Sequence, residues 1–270
     1  MARMILNEND SYNDAIIVED LTMAYDDQII QQDLNFTVKR NDIFIIMGNS
    51  GSGKSTLMRS MTGLNKPSSG DIFYHYGKNG QTDSDHCGYW QASGSEQLKI
   101  MEQFGVMFQN GALFSSMTLL ENVSLRLTQT TRYSAGRIRK IASLKLALVG
   151  LKGFEDYYPA EISGGMQKRV GIARAMAMDP PILFFDEPSA GLDPVSSKLL
   201  DDLLLELRNS MGITMVVVTH ELDSIFSIAN NSIFLDHDQQ TIIARGDPKT
   251  MLSENSNDQV QAFLNRGKEQ

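Results

Sequence analysis

An α/β fold around a parallel sheet is predicted for this 270-residue chain by three observations. Short apolar runs alternate with helix-compatible segments, a glycine-rich loop stands between one such run and one such segment, and another fully apolar run ends in two adjacent carboxylates. Strand, helix, strand in that order predicts right-handed crossovers, which make the strands parallel neighbours.

The apolar runs Ile16 to Val18, Leu34 to Val38, Ile43 to Met47, Val106 to Phe108, Ile182 to Phe185 and Thr214 to Val218 read as strands. Between the later runs, 165–178 is rich in Ala, Met and Arg and reads as a helix. A second helix is predicted over 194–210, with Leu199, Leu200, Leu203 and Leu207 on one face. Asp193 suits its cap, Pro194 its first position and Gly212 its exit. The polar, glycine-rich stretch 77–100 reads as a surface loop or insertion. His86 and Cys87 within it are two adjacent donors, which cannot complete a tetrahedral metal site, so a plain loop is expected there.

Bulk properties narrow the function. A hydrophobic share of 41% with 21% charged residues describes an ordinary globular chain long enough for a sizeable core. A formal charge of -9 repels phosphate backbones, so no nucleic-acid partner is expected. The lone cysteine, Cys87, excludes an internal disulfide, and the first residues lack the apolar core of a signal peptide, so a reducing cytoplasmic compartment is expected. Apolar runs end after a few residues, well short of a membrane span.

The strongest chemical motif is GNSGSGKST, comprising Gly48, Asn49, Ser50, Gly51, Ser52, Gly53, Lys54, Ser55 and Thr56. It follows the run IFIIM and precedes a helix-compatible segment, the context a phosphate-binding P-loop requires. Its glycines let backbone N–H groups converge on phosphate oxygens. Lys54 can neutralise the β and γ phosphates, and the Ser55 hydroxyl is placed for Mg²⁺. ILFFDE then supplies Asp186, at the end of a buried strand, as the carboxylate behind the metal. Glu187, one residue on, can polarise the attacking water, and His220, closing the run MVVVTH, can sense the γ-phosphate.

A second phosphate binder is written into YPAEISGGMQKRVGIARA, residues 158–175, where Ser163, Gly164, Gly165 and Met166 open a helix with free N–H groups. ISGGM resembles the signature sequence of ABC ATPases, a likeness that covers the chain from about Ile16 onward. That resemblance implies a P-loop NTPase of ABC type: a RecA-like parallel-sheet core, an N-terminal antiparallel β subdomain and an inserted α-helical signature subdomain. It implies ATP and Mg²⁺ as cofactors and a second copy meeting the first head to tail, so that the signature of one subunit covers the ATP held by the other. It makes Tyr25 the adenine-stacking aromatic, Gln109 the Q-loop residue reaching the metal or the water, and Asp193 part of the D-loop. The expected domain division is a flexible stretch 1–15, one ATPase domain over 16–253 with its helical subdomain at 110–178, and a tail segment 254–270.

One branch of the family fits further. Gly111 to Phe114 reads GALF, Glu121 to Val123 reads ENV, Met166 stands where many relatives carry glutamine, and Asn255 to Gly267 ends in FLNRG. These resemble the ATPases of MCE-type lipid-transport systems, the Mla branch. The resemblance implies ATP hydrolysis that drives transport of a lipid, with phospholipid the expected class. The implied partners are a permease of MlaE type, an MCE-domain protein and a small STAS-type regulatory subunit, and the expected location is the cytoplasmic face of the inner membrane. An ABC ATPase for import or export of another solute is the alternative, and a non-transport ABC protein is disfavoured by the single P-loop and the absence of a long heptad run.

Overall fold

The computed structural model describes residues 13–26, 28–75, 88–109, 111–254 and 257–266. Two sheets organise the chain. The first is antiparallel, in the order β2-β1-β4, from β1 (Asp14–Tyr25), β2 (Gln28–Lys39) and β4 (Ser69–Tyr74). The second has six strands in the order β5-β6-β7-β3-β8-β9. Its members are β3 (Ile43–Gly48), β5 (Phe104–Met107), β6 (Ile182–Asp186), β7 (Thr214–Val218), β8 (Asn231–Asp236) and β9 (Thr241–Arg245). Only β9 runs antiparallel to its neighbour.

Every residue of β3, β6 and β7 is buried, as a central parallel strand covered on both faces requires. One apolar cluster joins the antiparallel sheet to one face of the large sheet through Phe36, Phe44, Phe104 and Phe184. Leu57, Met58 and Met61 of the first helix and Ile100 of the second join that cluster, and the later helices pack on the other face. In chain order the helices are α1 (Lys54–Met61), α2 (Gly94–Met101), α3 (Leu119–Thr130), α4 (Ala135–Leu148), α5 (Gly164–Ala175), α6 (Pro194–Met211), α7 (Leu222–Ile228), α8 (Pro248–Glu254) and α9 (Asp258–Asn265). Helices α3, α4 and α5 lie together between β5 and β6 in sequence and form the inserted helical lobe. The α/β fold, with its antiparallel N-terminal sheet and helical insertion, is the one expected.

Helix α6 is built as the sequence implied. Asp193 accepts from the N–H groups of Val195 (3.1 Å) and Ser196 (3.0 Å), and Gly212 closes the helix in the left-handed region at φ 66°. Its apolar face needs one correction. Leu199 is 54% exposed, whereas Leu200, Leu203, Leu204 and Leu207 are buried. A stripe anchored on Leu200 leaves the preceding residue about 100° away on a 3.6-residue helix.

The stretch 77–100 also departs from the expected loop. Residues 76–87, with His86 and Cys87, lie outside the described residues, but the remainder is firmly built. Buried Asp71 accepts from the N–H groups of Trp90 (2.8 Å) and Gln91 (3.2 Å), and Tyr89 joins the aromatic contacts with Tyr74 and Trp90. Ser93 and Glu96 then form a reciprocal cap that starts α2. Two termini shift as well. Strand β1 already begins at Asp14, inside the expected flexible stretch 1–15. Helix α9, read as tail, buries Val260, Phe263 and Leu264, with the Phe263 ring edge-on to Phe234 at 5.1 Å.

Candidate nucleotide site

The site lies at the carboxyl ends of β3, β6 and β7, adjacent strands of the parallel sheet. Between β3 and α1 the loop turns through Gly48 (φ 149°), Gly51 (φ 81°) and Gly53 (φ 84°). Only glycine fits at 48, where a Cβ would stand 2.3 Å from the carbonyl oxygen of Leu235. Fully buried Gln31 holds the loop from behind, its Nε2 donating to the carbonyls of Ser52 (3.0 Å) and Asp236 (2.7 Å). Ser52 is therefore turned inward, while Gly48, Asn49, Ser50, Gly51, Gly53, Lys54, Ser55 and Thr56 line a cleft of about 590 Å³.

Lys54 Nζ donates to the carbonyls of Gly48 and Asn49, both at 2.9 Å. Burial lowers its pKa, and the carboxylates of Glu187 and Asp186 counter that effect. The Ser55 hydroxyl donates to Asp186 Oδ1 at 3.2 Å, so Asp186 sits behind Ser55 rather than on the cleft wall. Burial raises the Asp186 pKa against the opposing pull of Ser55, Arg59, Lys54 and Lys168. A hydroxyl, a carboxylate and the nearby amide of Gln109 form an all-oxygen donor set that suits Mg²⁺.

Glu187 occupies a left-handed backbone at φ 49°, a conformation that costs a non-glycine residue on the order of 1 kcal/mol or more. Its N–H donates to Val218 O at 2.8 Å, its Oε1 meets His220 Nδ1 at 2.7 Å, and its buried Oε2 has no partner among the described residues. Gln109, Glu187 and His220 all line the cleft with the P-loop.

Tyr25, Ser163, Gly164, Gly165, Met166 and Asp193 are not on the cleft wall. Tyr25 ends β1 half exposed, its hydroxyl accepting from Asn65 at 2.7 Å. Ser163 caps α5 by accepting from Met166 N–H at 3.2 Å, so the signature residues open a helix as expected. Asp193 stands beside that helix start: a Cβ on Gly165 would lie 3.6 Å from the Cβ of Ser196, the residue Asp193 binds. The Ser196 hydroxyl and N–H hold the Asp193 carboxyl below its usual pKa.

The GALF and ENV segments meet. Phe114 N–H donates to Asn122 Oδ1 at 2.8 Å, and Asn122 Nδ2 donates back to the carbonyls of Phe114 (3.1 Å), Met117 (3.1 Å) and Thr118 (2.9 Å). Glu121 completes a reciprocal cap with Thr118 at the start of α3. Asn122 thus pins the main chain at Phe114 while the Phe114 side chain stays 49% exposed. Ile30, Leu222, Phe263 and Arg266 also line the cleft, although no motif announces them. Phe263 and Arg266 come from α9 and its cap, and only the fold brings them to the P-loop.

A P-loop, a strand-end carboxylate pair and a separate glycine-bearing helix start at Ser163 define the class, and sequence comparison agrees. The ABC transporter family pattern matches residues 31–190, and the chain belongs to that family. It is the ATPase of an ABC transporter and uses ATP with Mg²⁺; such subunits work as dimers with membrane permeases. No helix among the described residues is long and apolar enough to cross a membrane.

Among individual relatives, the intermembrane phospholipid transport system ATP-binding protein MlaF of Haemophilus influenzae is 35% identical over 88% of this chain and 85% of its own length. The mkl ATP-binding protein of Mycobacterium tuberculosis, named for ribonucleotide transport, is 36% identical over 93% of the chain, which spans 66% of it. The glycine betaine/carnitine transport ATP-binding protein GbuA of Listeria monocytogenes is 37% identical over 85%, and the chain spans 55% of it. Among solved structures, a subunit of the cbiONQ ABC transporter complex of Clostridium perfringens superposes with a TM-score of 0.78 at 29% identity, covering 94% of this chain and 95% of that one. A bacterial ABC cassette solved as a post-hydrolysis dimer with ADP and Pi gives 0.73 at 30% identity, covering 86% and 98%.

Proposed function

We propose that this chain energises transport of a lipid, phospholipid being the expected class, between the inner membrane and an MCE-domain protein beyond it. The observation that carries the reading is its likeness to the Haemophilus phospholipid-transport subunit over most of both chains. The GALF segment at Gly111 to Phe114 and Met166 in the signature support it. The protein acts as two copies at the cytoplasmic face of the inner membrane, docked on a permease of MlaE type, with a STAS-type regulatory subunit as a further partner. Exposed Phe114, on a loop anchored by Asn122, suits contact with the permease. One ATPase domain spans 16–253 with its helical subdomain at 110–178, and the burial of α9 supports extending the domain over that helix.

In this reading Lys54 and the loop amides of 48–56 hold the phosphates, and Tyr25 stacks on adenine. Ser55 and Gln109 would hold Mg²⁺ with Asp186 behind them, and the ion when bound neutralises developing phosphate charge. The Glu187 carboxylate takes the proton of the attacking water, and its Oε1 holds His220, which lines the same cleft. Ser163, Gly164, Gly165 and Met166 bind the γ-phosphate in the other copy's cleft, and Asp193 lies at that contact.

The betaine-transport relative favours a second reading, import or export of another solute, which the same catalytic residues would serve. Affinity purification of the tagged chain from gently solubilised membranes separates them. An MCE-domain protein, a multi-span permease and bound phospholipid are expected. A solute-binding protein with an unrelated permease would overturn the lipid reading and leave the ATPase intact.

A further inference from the structure

The signature helix α5 carries a cation that the catalytic reading does not use. Lys168 is only 9% exposed, unusual for a lysine. Its Nζ donates to the main-chain carbonyl of Gln109 and, at 3.5 Å, to that of Glu187. Further along the same helix, Arg174 donates through Nη1 to Ala112 O at 2.6 Å and through Nη2 to Gly111 O. The chain at 111 and 112 is left-handed, with φ 65° and 47°, so this helix holds the strained loop that follows Gln109.

Burial lowers the pKa of both cations, and at Lys168 the carboxylates of Glu187 and Asp186 oppose that effect. A buried ammonium is retained where it finds acceptors, and here two of its three N–H groups meet main-chain oxygens from two separate elements. Neither carbonyl belongs to α5 itself. The contact therefore does nothing for the helix alone and fixes how three pieces sit together.

We propose that Lys168 is a positioning residue for hydrolysis. It ties the helix that begins at Ser163 to the loop bearing Gln109 and to the left-handed turn bearing Glu187. Docking of the signature on a partner copy's nucleotide and alignment of the Glu187 carboxylate are then set together. The inference rests on the proposed role of Glu187 as base, and the experiment separates the two.

ATP binding, steady-state hydrolysis and thermal unfolding are measured on the full chain for Lys168→Met, Lys168→Arg and Glu187→Gln. Lys168→Met is expected to bind ATP within about twofold of the parent and to lose about 10- to 100-fold in kcat, the scale of a small misplacement of a catalytic group. Lys168→Arg restores donors to both carbonyls and is expected to recover most of the loss. Unchanged kcat in Lys168→Met beside an inactive Glu187→Gln would overturn the tie and spare the base. Near-normal turnover in Glu187→Gln would overturn the base reading itself. ATP affinity and kcat falling together, or no recovery in a folded Lys168→Arg, would mark a purely structural role and also overturn the proposal. If Lys168→Met does not fold, Lys168→Ala, which likewise carries no donor, replaces it with the same criteria.

Discussion

Gly48 and Lys54 show how far single residues constrain this site. Gly48 has no room for a methyl group because the nearest atom is a backbone oxygen of β8, which cannot swing aside as a side chain could. Gly48→Ala should therefore displace the P-loop and weaken ATP binding by about tenfold or more, read by fluorescent-nucleotide titration. Lys54→Ala should abolish productive nucleotide use, read as loss of phosphate release; near-normal turnover would remove Lys54 from the site. Both residues were legible in the sequence because the loop is a local pattern whose chemistry depends on spacing. Gln31 and Lys168 were not. Each acts through main-chain carbonyls distant in sequence, and no local rule marks a polar residue that the fold will bury.

Among the elements, α6 announced itself through Asp193, Pro194 and Gly212, all residues with specific end-of-helix chemistry. Helix α2 did not, because its composition matches the polar stretch before it and Ile100 is its one buried residue. Its order comes from the Ser93–Glu96 cap and from Asp71 across the β4 turn. The termini of β1 and β2 extended well past the apolar runs for a similar reason: antiparallel pairing with one another carries polar residues such as Gln28 and Gln31 into the ladder.

Asp201, buried on α6, is pushed up to a pKa of about 6, first by burial. A carboxyl whose folded pKa exceeds its unfolded value binds more protons when folded, so stability is lost as pH rises through about 6. Asp201→Asn should therefore stabilise the chain at pH 7.5, on the order of 2 kcal/mol, with the gain vanishing near pH 4. Urea unfolding at both pH values checks this, and a pH-independent effect would contradict it. Asn122→Ala leaves the carbonyls of Phe114, Met117 and Thr118 without their donor and should cost about 1 to 3 kcal/mol in the same assay.

Over the whole molecule, the likeness to ABC cassettes across nearly the full chain accounts for a puzzle that one subunit cannot resolve. The P-loop lines one cleft, and the glycine-bearing helix start at Ser163, read as a second phosphate binder, does not reach it. In the proposed two-fold assembly that second element meets the nucleotide of the other copy. Ser163→Arg should accordingly leave ATP binding by the single chain within about twofold while lowering turnover by about 100-fold, because the altered residue lies off its own cleft. The cleft and the signature were both readable from sequence, but their separation in space was not, since it depends on the helical lobe formed by α3, α4 and α5.

The most direct test of the two-copy site is the mass of Glu187→Gln in solution, measured by analytical ultracentrifugation with and without ATP and Mg²⁺, alongside its turnover. Removing the base should lower hydrolysis by about 100-fold or more while leaving the nucleotide held, so ATP should shift the protein to twice the mass of one chain. A Glu187→Gln chain that saturates with ATP and stays single, or that hydrolyses it at the parent rate, would contradict the account.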